Sequence, residues 1–266
     1  MLKLVVTAMA LLMGGRPGSY LSKASLSKLV SCSSPTFFPV RHGSTKRNGM
    51  KRPRFSRLGC NLEDATGSED KLGTRIDPLA IDTLRWVRTT VVGLNLCPWA
   101  AGALTGGRLR VVVTPPGSDA ADFVSAALGE ASSLATLTGE AAGNATTLVV
   151  ARPPLLEDFN AYLNAAGLLD DLIDQEGLRG IVQLATFHPL YCFEGAKKGD
   201  VENYTNRSPY PTLHLLLENQ VEKAVREIED PAVVWQKNVK TTRKLGVDAM
   251  QLKLEACTST DLKRGE

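Results

Sequence analysis

Arg108-Leu109-Arg110-Val111-Val112-Val113-Thr114-Pro115-Pro116-Gly117-Ser118 is the stretch on which the fold reading turns. Arg108 to Thr114 is short, apolar and rich in β-branched residues, the pattern of a buried strand. Pro115-Pro116-Gly117 is a turn, and Ser118 has the side chain of a helix N-cap. Residues 119–137 then repeat Phe123, Val124, Ala127, Leu128, Ala131 and Leu134 at helical spacing. A strand leading straight into an amphipathic helix is one unit of an alternating α/β chain.

The same alternation continues outward in both directions. Upstream, Leu79, Leu84, Val87, Val91, Val92 and Leu94 predict a helix over 78–95, ended at Cys97-Pro98 because the residue before proline is pushed out of the helical region. Downstream, Thr146 to Ala151 reads as a second strand, and Pro153-Pro154 starts a helix from 155 to about 175, closed by Gly177. Gly180 to Phe187 reads as a third strand and Pro211 to Leu217 as a fourth. In that last strand Thr212, His214 and Leu216 share one face, and Leu213, Leu215 and Leu217 the other. Asn219 caps a helix over Val221 to Ile228, and a last helix runs to about Leu245. The order α-βα-βα-β-β-αα predicts an α/β (α+β sandwich) fold: a single sheet of about four strands with helices packed on it.

The termini read differently. Residues 1–60 contain no Asp or Glu but eleven Lys and Arg, and they are rich in Ser. Leu4 to Met13 is apolar but shorter than the roughly 20 residues of a membrane span. This composition predicts a disordered targeting peptide for a plastid or a mitochondrion. Residues 61–77 read as a polar linker, 78–246 as one globular domain and 247–266 as a tail. The whole chain carries +3 and its first sixty residues +11, so the remainder carries −8. An acidic domain without a basic stripe argues against nucleic acid as a partner. No segment is long and apolar enough to predict a membrane span. The scattered cysteines, at 32, 60, 97, 192 and 257, form neither a CxxC pair nor a disulfide framework.

Between the last two strands lies Asn203-Tyr204-Thr205-Asn206-Arg207-Ser208-Pro209-Tyr210-Pro211-Thr212-Leu213-His214, whose amides, aromatics, arginine and histidine have the composition of a binding loop. Arg207, with Asn203, Tyr204, Asn206 and Tyr210, is expected to hold a small anionic ligand, since a guanidinium pairs bidentately with carboxylate or phosphate. The alternative is a local pairing of Arg207 with Glu202 or Glu194. Cys97, His188 and His214 are the candidate catalytic residues. A nucleophilic thiol needs a neighbouring base or cation, and the preceding helix presents its C-terminus, which disfavours a thiolate. The same three side chains have the ligand types of an open zinc site, but no compact ligand motif accompanies them, and no metal or other cofactor is assigned. Buried structural roles stand as the alternative for each.

Gly93-Leu94-Asn95-Leu96-Cys97-Pro98-Trp99, Phe187-His188-Pro189 with Tyr191 and Phe193, and Asn203 to Leu215 together resemble the family catalogued as domain of unknown function 1415. The resemblance covers residues 78–246, with Trp99 standing where that family usually has phenylalanine. It implies a single soluble domain and no particular reaction. Three functional readings follow from the residues: a small-molecule enzyme using Cys/His chemistry on an anionic substrate, a metal- or ligand-binding module without turnover, and a protein-interaction domain.

Overall fold

The computed structural model describes residues 76–228, 230 and 232–258. The segment read as a targeting peptide and nearly all of the linker lie outside these residues. Four strands form one mixed sheet in the order β1-β2-β4-β3: β1 (Leu109–Val113), β2 (Thr146–Val150), β3 (Val182–Phe187) and β4 (Thr212–Leu217). β1 and β2 are parallel, with Val111 opposite Leu148. β4 runs antiparallel to both its neighbours, with His214 opposite Leu148 on β2 and Ala185 on β3. The last strand in sequence is therefore a central strand in space.

Helices cover both faces. α1 is Pro78–Trp86, α2 Ala100–Thr105, α3 Ala120–Ala135, α4 Gly139–Ala142, α5 Phe159–Gln175, α6 Glu218–Arg226, α7 Ala232–Leu245 and α8 Val247–Glu255. One core lies between α3, α5 and the sheet face formed by Val149, Leu213, Leu215 and Leu217. The other lies between α1, α2, α6 and the opposite face, with Leu109, Val111, Leu148, Val150, Ala185 and Phe187. The period-2 alternation of β4 explains the division: odd-numbered leucines enter the first core, and His214 and Leu216 point to the second.

Local chemistry moved several boundaries. Asp119, not Ser118, caps α3: its carboxylate accepts from the Asp122 N–H while Asp122 accepts from its own N–H, closing a capping box. α5 starts at Phe159, because Asp158 accepts from the Ala161 N–H and fixes the first turn there. Gly177, with φ +68°, follows the α5 C-cap as expected. α6 begins at Glu218, directly after β4, without a side-chain cap. The chain does not end its ordered part at Gly246. That glycine, at φ +80°, turns it into α8, which buries Met250 and leads to the buried Cys257.

The first predicted helix is in two parts. α1 changes at Val87 into a π-helical segment, Val87–Val92, whose hydrogen bonds span five residues instead of the four of an α-helix. The Gly93 N–H reaches back five residues to the Arg88 carbonyl at 3.0 Å, and the Leu96 N–H to Val91 at 2.8 Å. A Cβ on residue 93 would lie 2.3 Å from the Thr89 carbonyl oxygen, so glycine is required where the segment ends.

Candidate functional site

From Asn203 onward the polar connection between β3 and β4 is largely buried rather than displayed, while Glu194 to Gly199 are mostly exposed. Asn203, Asn206 and Ser208 are inaccessible to solvent, and Tyr204 and Tyr210 nearly so. A buried connection must satisfy its own backbone, and its polar side chains do this. Asn203 accepts from the Phe193 N–H and donates to the Lys197 carbonyl. Asn206 donates to the Thr186 carbonyl at the end of β3, and its own carbonyl accepts from the His188 N–H. Ser208 and Thr212 both donate to the Tyr210 carbonyl. The Tyr210 hydroxyl donates at 2.8 Å to Asp82, a fully buried carboxylate on α1 that also accepts from Arg85 at 2.9 Å. Burial and the Asp82 charge push the Tyr210 phenol well above its ordinary range. Arg207 donates to the carbonyls of Tyr191 and Lys198 and lies over the Tyr204 ring, 4.3 Å from its centroid.

His188 belongs to this system. It is inaccessible, sits against Phe159 and Tyr162 at ring separations of 5.1 and 5.0 Å, and uses both nitrogens. Nε2 donates to the Leu156 carbonyl at 2.9 Å, and Nδ1 accepts from the Leu190 N–H at 3.0 Å. Burial lowers its pKa, so the neutral form with that tautomer is the resident one.

On the other face of the sheet a cavity of about 110 Å³ opens between the π segment, α2, α6 and the strands. Its walls are largely apolar and include Trp86, Val87, Val91, Trp99, Leu148 and Phe187, with Trp86 edge-on to Phe187 at 5.3 Å. The widened π turn presents Val87 and Val91 to this space, in keeping with the frequent occurrence of such turns beside functional sites. Five polar side chains reach it: Cys97, Asn144, Thr146, His214 and Gln220. No Asp, Glu, Lys or Arg is among its lining residues. The indole Nε1 of the buried Trp86 has no hydrogen-bond partner among the described residues, nor do the side-chain amides of Asn144 and Gln220.

Two of the sequence-derived candidates, Cys97 and His214, thus converge on one cavity although 117 positions separate them in the chain. His188, Asn203, Tyr204, Asn206, Arg207 and Tyr210 are not among its lining residues. No hydrogen bond joins Cys97 to His214. The thiol faces the backbone N–H groups of Trp99 and Ala100, which favour a thiolate, but burial outweighs them and raises its pKa. Burial lowers the His214 pKa. Both groups rest in their neutral forms. No cluster of His, Cys, Asp and Glu with metal-holding geometry occurs among the described residues.

Trp86, Thr146, Asn144 and Gln220 were not anticipated from sequence. Their types are ordinary for a helix, a strand start and a loop, and only the strand register brings Thr146 beside His214.

The fold is that of an α/β domain built on a four-stranded mixed sheet. A family model described as "Protein of unknown function (DUF1415)" matches residues 79–252, and the chain belongs to that family. No curated protein and no solved structure matches it. No helix among the described residues is long and apolar enough to cross a membrane.

Proposed function

We propose that this chain is a small-molecule-binding domain whose ligand occupies the cavity between the π segment and the sheet, and that the ligand is uncharged and mostly apolar. One observation carries the reading: side chains from the π segment, the Cys97–Trp99 turn, β2, β4 and α6 converge on an apolar space with a few polar groups and no charge. That combination is characteristic of small-molecule sites. An anion would find no cation there. Arg207, the candidate for that role, is engaged by two carbonyls and an aromatic ring elsewhere.

Turnover is the second reading, favoured by the shared placement of Cys97 and His214. A neutral imidazole is the form a general base requires. A neutral buried thiol is not an activated nucleophile, so His214 carries this reading further than Cys97 does. The interaction reading is supported less, because Tyr204 and Tyr210 are buried and Trp99 lines the cavity. The acid-free basic segment 1–60 supports delivery to a plastid or mitochondrion; a fluorescent protein fused behind it is expected to enter one of these, and a cytosolic distribution would refute delivery.

The binding test uses the two tryptophans of the cavity wall. Titration of the full chain with single-ring aromatic compounds is expected to shift its tryptophan emission saturably. Ala224→Phe, which places a ring into the cavity from α6, is expected to abolish that response without unfolding the protein. A response unaffected by Ala224→Phe would place binding elsewhere and overturn the reading.

A further inference from the structure

Thr146 opens β2 two residues before Leu148, the residue opposite His214. Its hydroxyl oxygen is 2.6 Å from His214 Nε2 and 2.8 Å from the Leu215 carbonyl oxygen. A hydroxyl has one proton and a carbonyl can only accept. The proton therefore goes to Leu215, and the remaining contact is attractive only if His214 Nε2 carries the hydrogen and donates to Thr146. A neutral imidazole has one N–H, so Nδ1 is left with a lone pair. No described residue donates a hydrogen bond to Nδ1, and the ring lines the cavity.

We propose that Thr146 holds His214 in the Nε2–H tautomer, so that Nδ1 is a fixed acceptor in the cavity, and that the ligand is an uncharged, mostly apolar molecule presenting a hydroxyl or N–H to it. The ligand class rests on the reading that the cavity is the binding site; the tautomer does not. Four further observations agree. Burial keeps the imidazole neutral, so it does not attract an anion. No carboxylate lines the cavity to receive a cationic ligand. Phe187, 6.0 Å from the imidazole ring centre, and Trp86 give a flat apolar body two aromatic walls. The volume of about 110 Å³ suits a single ring or a short chain, since benzene enters an engineered cavity of roughly 150 Å³.

Thr146 is here a positioning residue, and its role has a spectroscopic signature. Nitrogen-15 NMR of the full chain is expected to show His214 protonated at Nε2 and not at Nδ1. Thr146→Val is expected to release a mixture of tautomers, and Thr146→Ser to restore the single one. A wild-type Nδ1–H tautomer, or one unchanged in Thr146→Val, overturns the positioning role.

The ligand class is tested with phenol, anisole and toluene, which share a ring but differ in the donor. Phenol is expected to bind roughly fivefold or more tightly than the other two, the effect of about one hydrogen bond. His214→Phe is expected to remove that preference while toluene still binds. Equal affinities in the wild type, or a phenol preference that survives His214→Phe, overturn the proposed class. Failure of all three probes to bind, or binding indifferent to Ala224→Phe, overturns instead the reading of the cavity as the site, and leaves the tautomer to the NMR result.

Discussion

Two regions of this domain present polar side chains, one many and one few, and they use them in opposite ways. In the connection from His188 to Pro211, amides, hydroxyls and the Arg207 guanidinium bond to nearby backbone or buried partners, and both nitrogens of His188 are engaged. In the cavity, polar groups are fewer, yet Trp86 Nε1, Asn144, Gln220 and His214 Nδ1 remain without described partners. The comparison teaches that polar composition alone does not mark a site. Unengaged hydrogen-bonding capacity facing a shaped space is the better sign.

The largest expected break in this contrast comes from Asn206. Asn206→Ala leaves the Thr186 carbonyl buried without its donor, and a loss of about 2–3 kcal/mol in urea unfolding is expected. The corresponding cavity variant, His214→Phe, is expected to stay within about 1 kcal/mol of wild type. If both cost the same, the two regions do not differ as described.

Next in size is Tyr210→Phe, which removes a donor from the buried Asp82 carboxylate while keeping the ring. A cost of about 1.5–2 kcal/mol is expected in the same measurement.

A pH series separates the histidines from the rest. Both His188 and His214 have folded-state pKa values below the unfolded value of about 6.5. The unfolded chain therefore binds more protons once the pH falls through about 6.5, and stability is expected to decline progressively from there downward. Glu218, raised by burial, acts in the opposite sense, in a window that starts near pH 4.5. The histidine contribution is checked by the urea midpoint between pH 7.5 and 5.5. A midpoint that is flat over this range would show the two imidazoles to be more solvated than their surroundings imply.

The smallest effect is expected at Arg207. Its packing on Tyr204 is partly exposed, and Arg207→Lys is expected to cost less than about 1 kcal/mol. A larger loss would mean that the guanidinium fork is indispensable to the connection.

Much of the fold could be read directly. The four strands are β-branched or leucine-rich runs bounded by Pro, Gly or polar residues, and the alternation in β4 assigned each of its side chains to the correct face. The π turn at Val87–Val92 was not legible, because its apolar spacing fits an α-helix equally well. α8 was missed because only Met250 of its residues is buried, while Val247 and Leu252 are exposed and blur the apolar stripe. The candidate cavity was legible in part. Cys97 and His214 stood out by residue type, but Thr146 acquires its role only through a register between β2 and β4. The composition of the connection does not by itself separate a binding role from a structural one, for a physical reason: side chains that satisfy a buried backbone are the same types that bind ligands, and only their partners tell them apart.

The placement of β4 has a consequence for how the chain comes into being. Its residues are the last of the sheet to leave a ribosome, yet they fill the gap between β2 and β3. Until Leu217 is available, β2 and β3 each expose an unpaired edge, the condition under which strands join the wrong partner. A nascent chain is thus expected to need cover of these edges until nearly all of the domain has emerged, and truncations that end before Thr212 are expected to aggregate rather than form a smaller stable sheet.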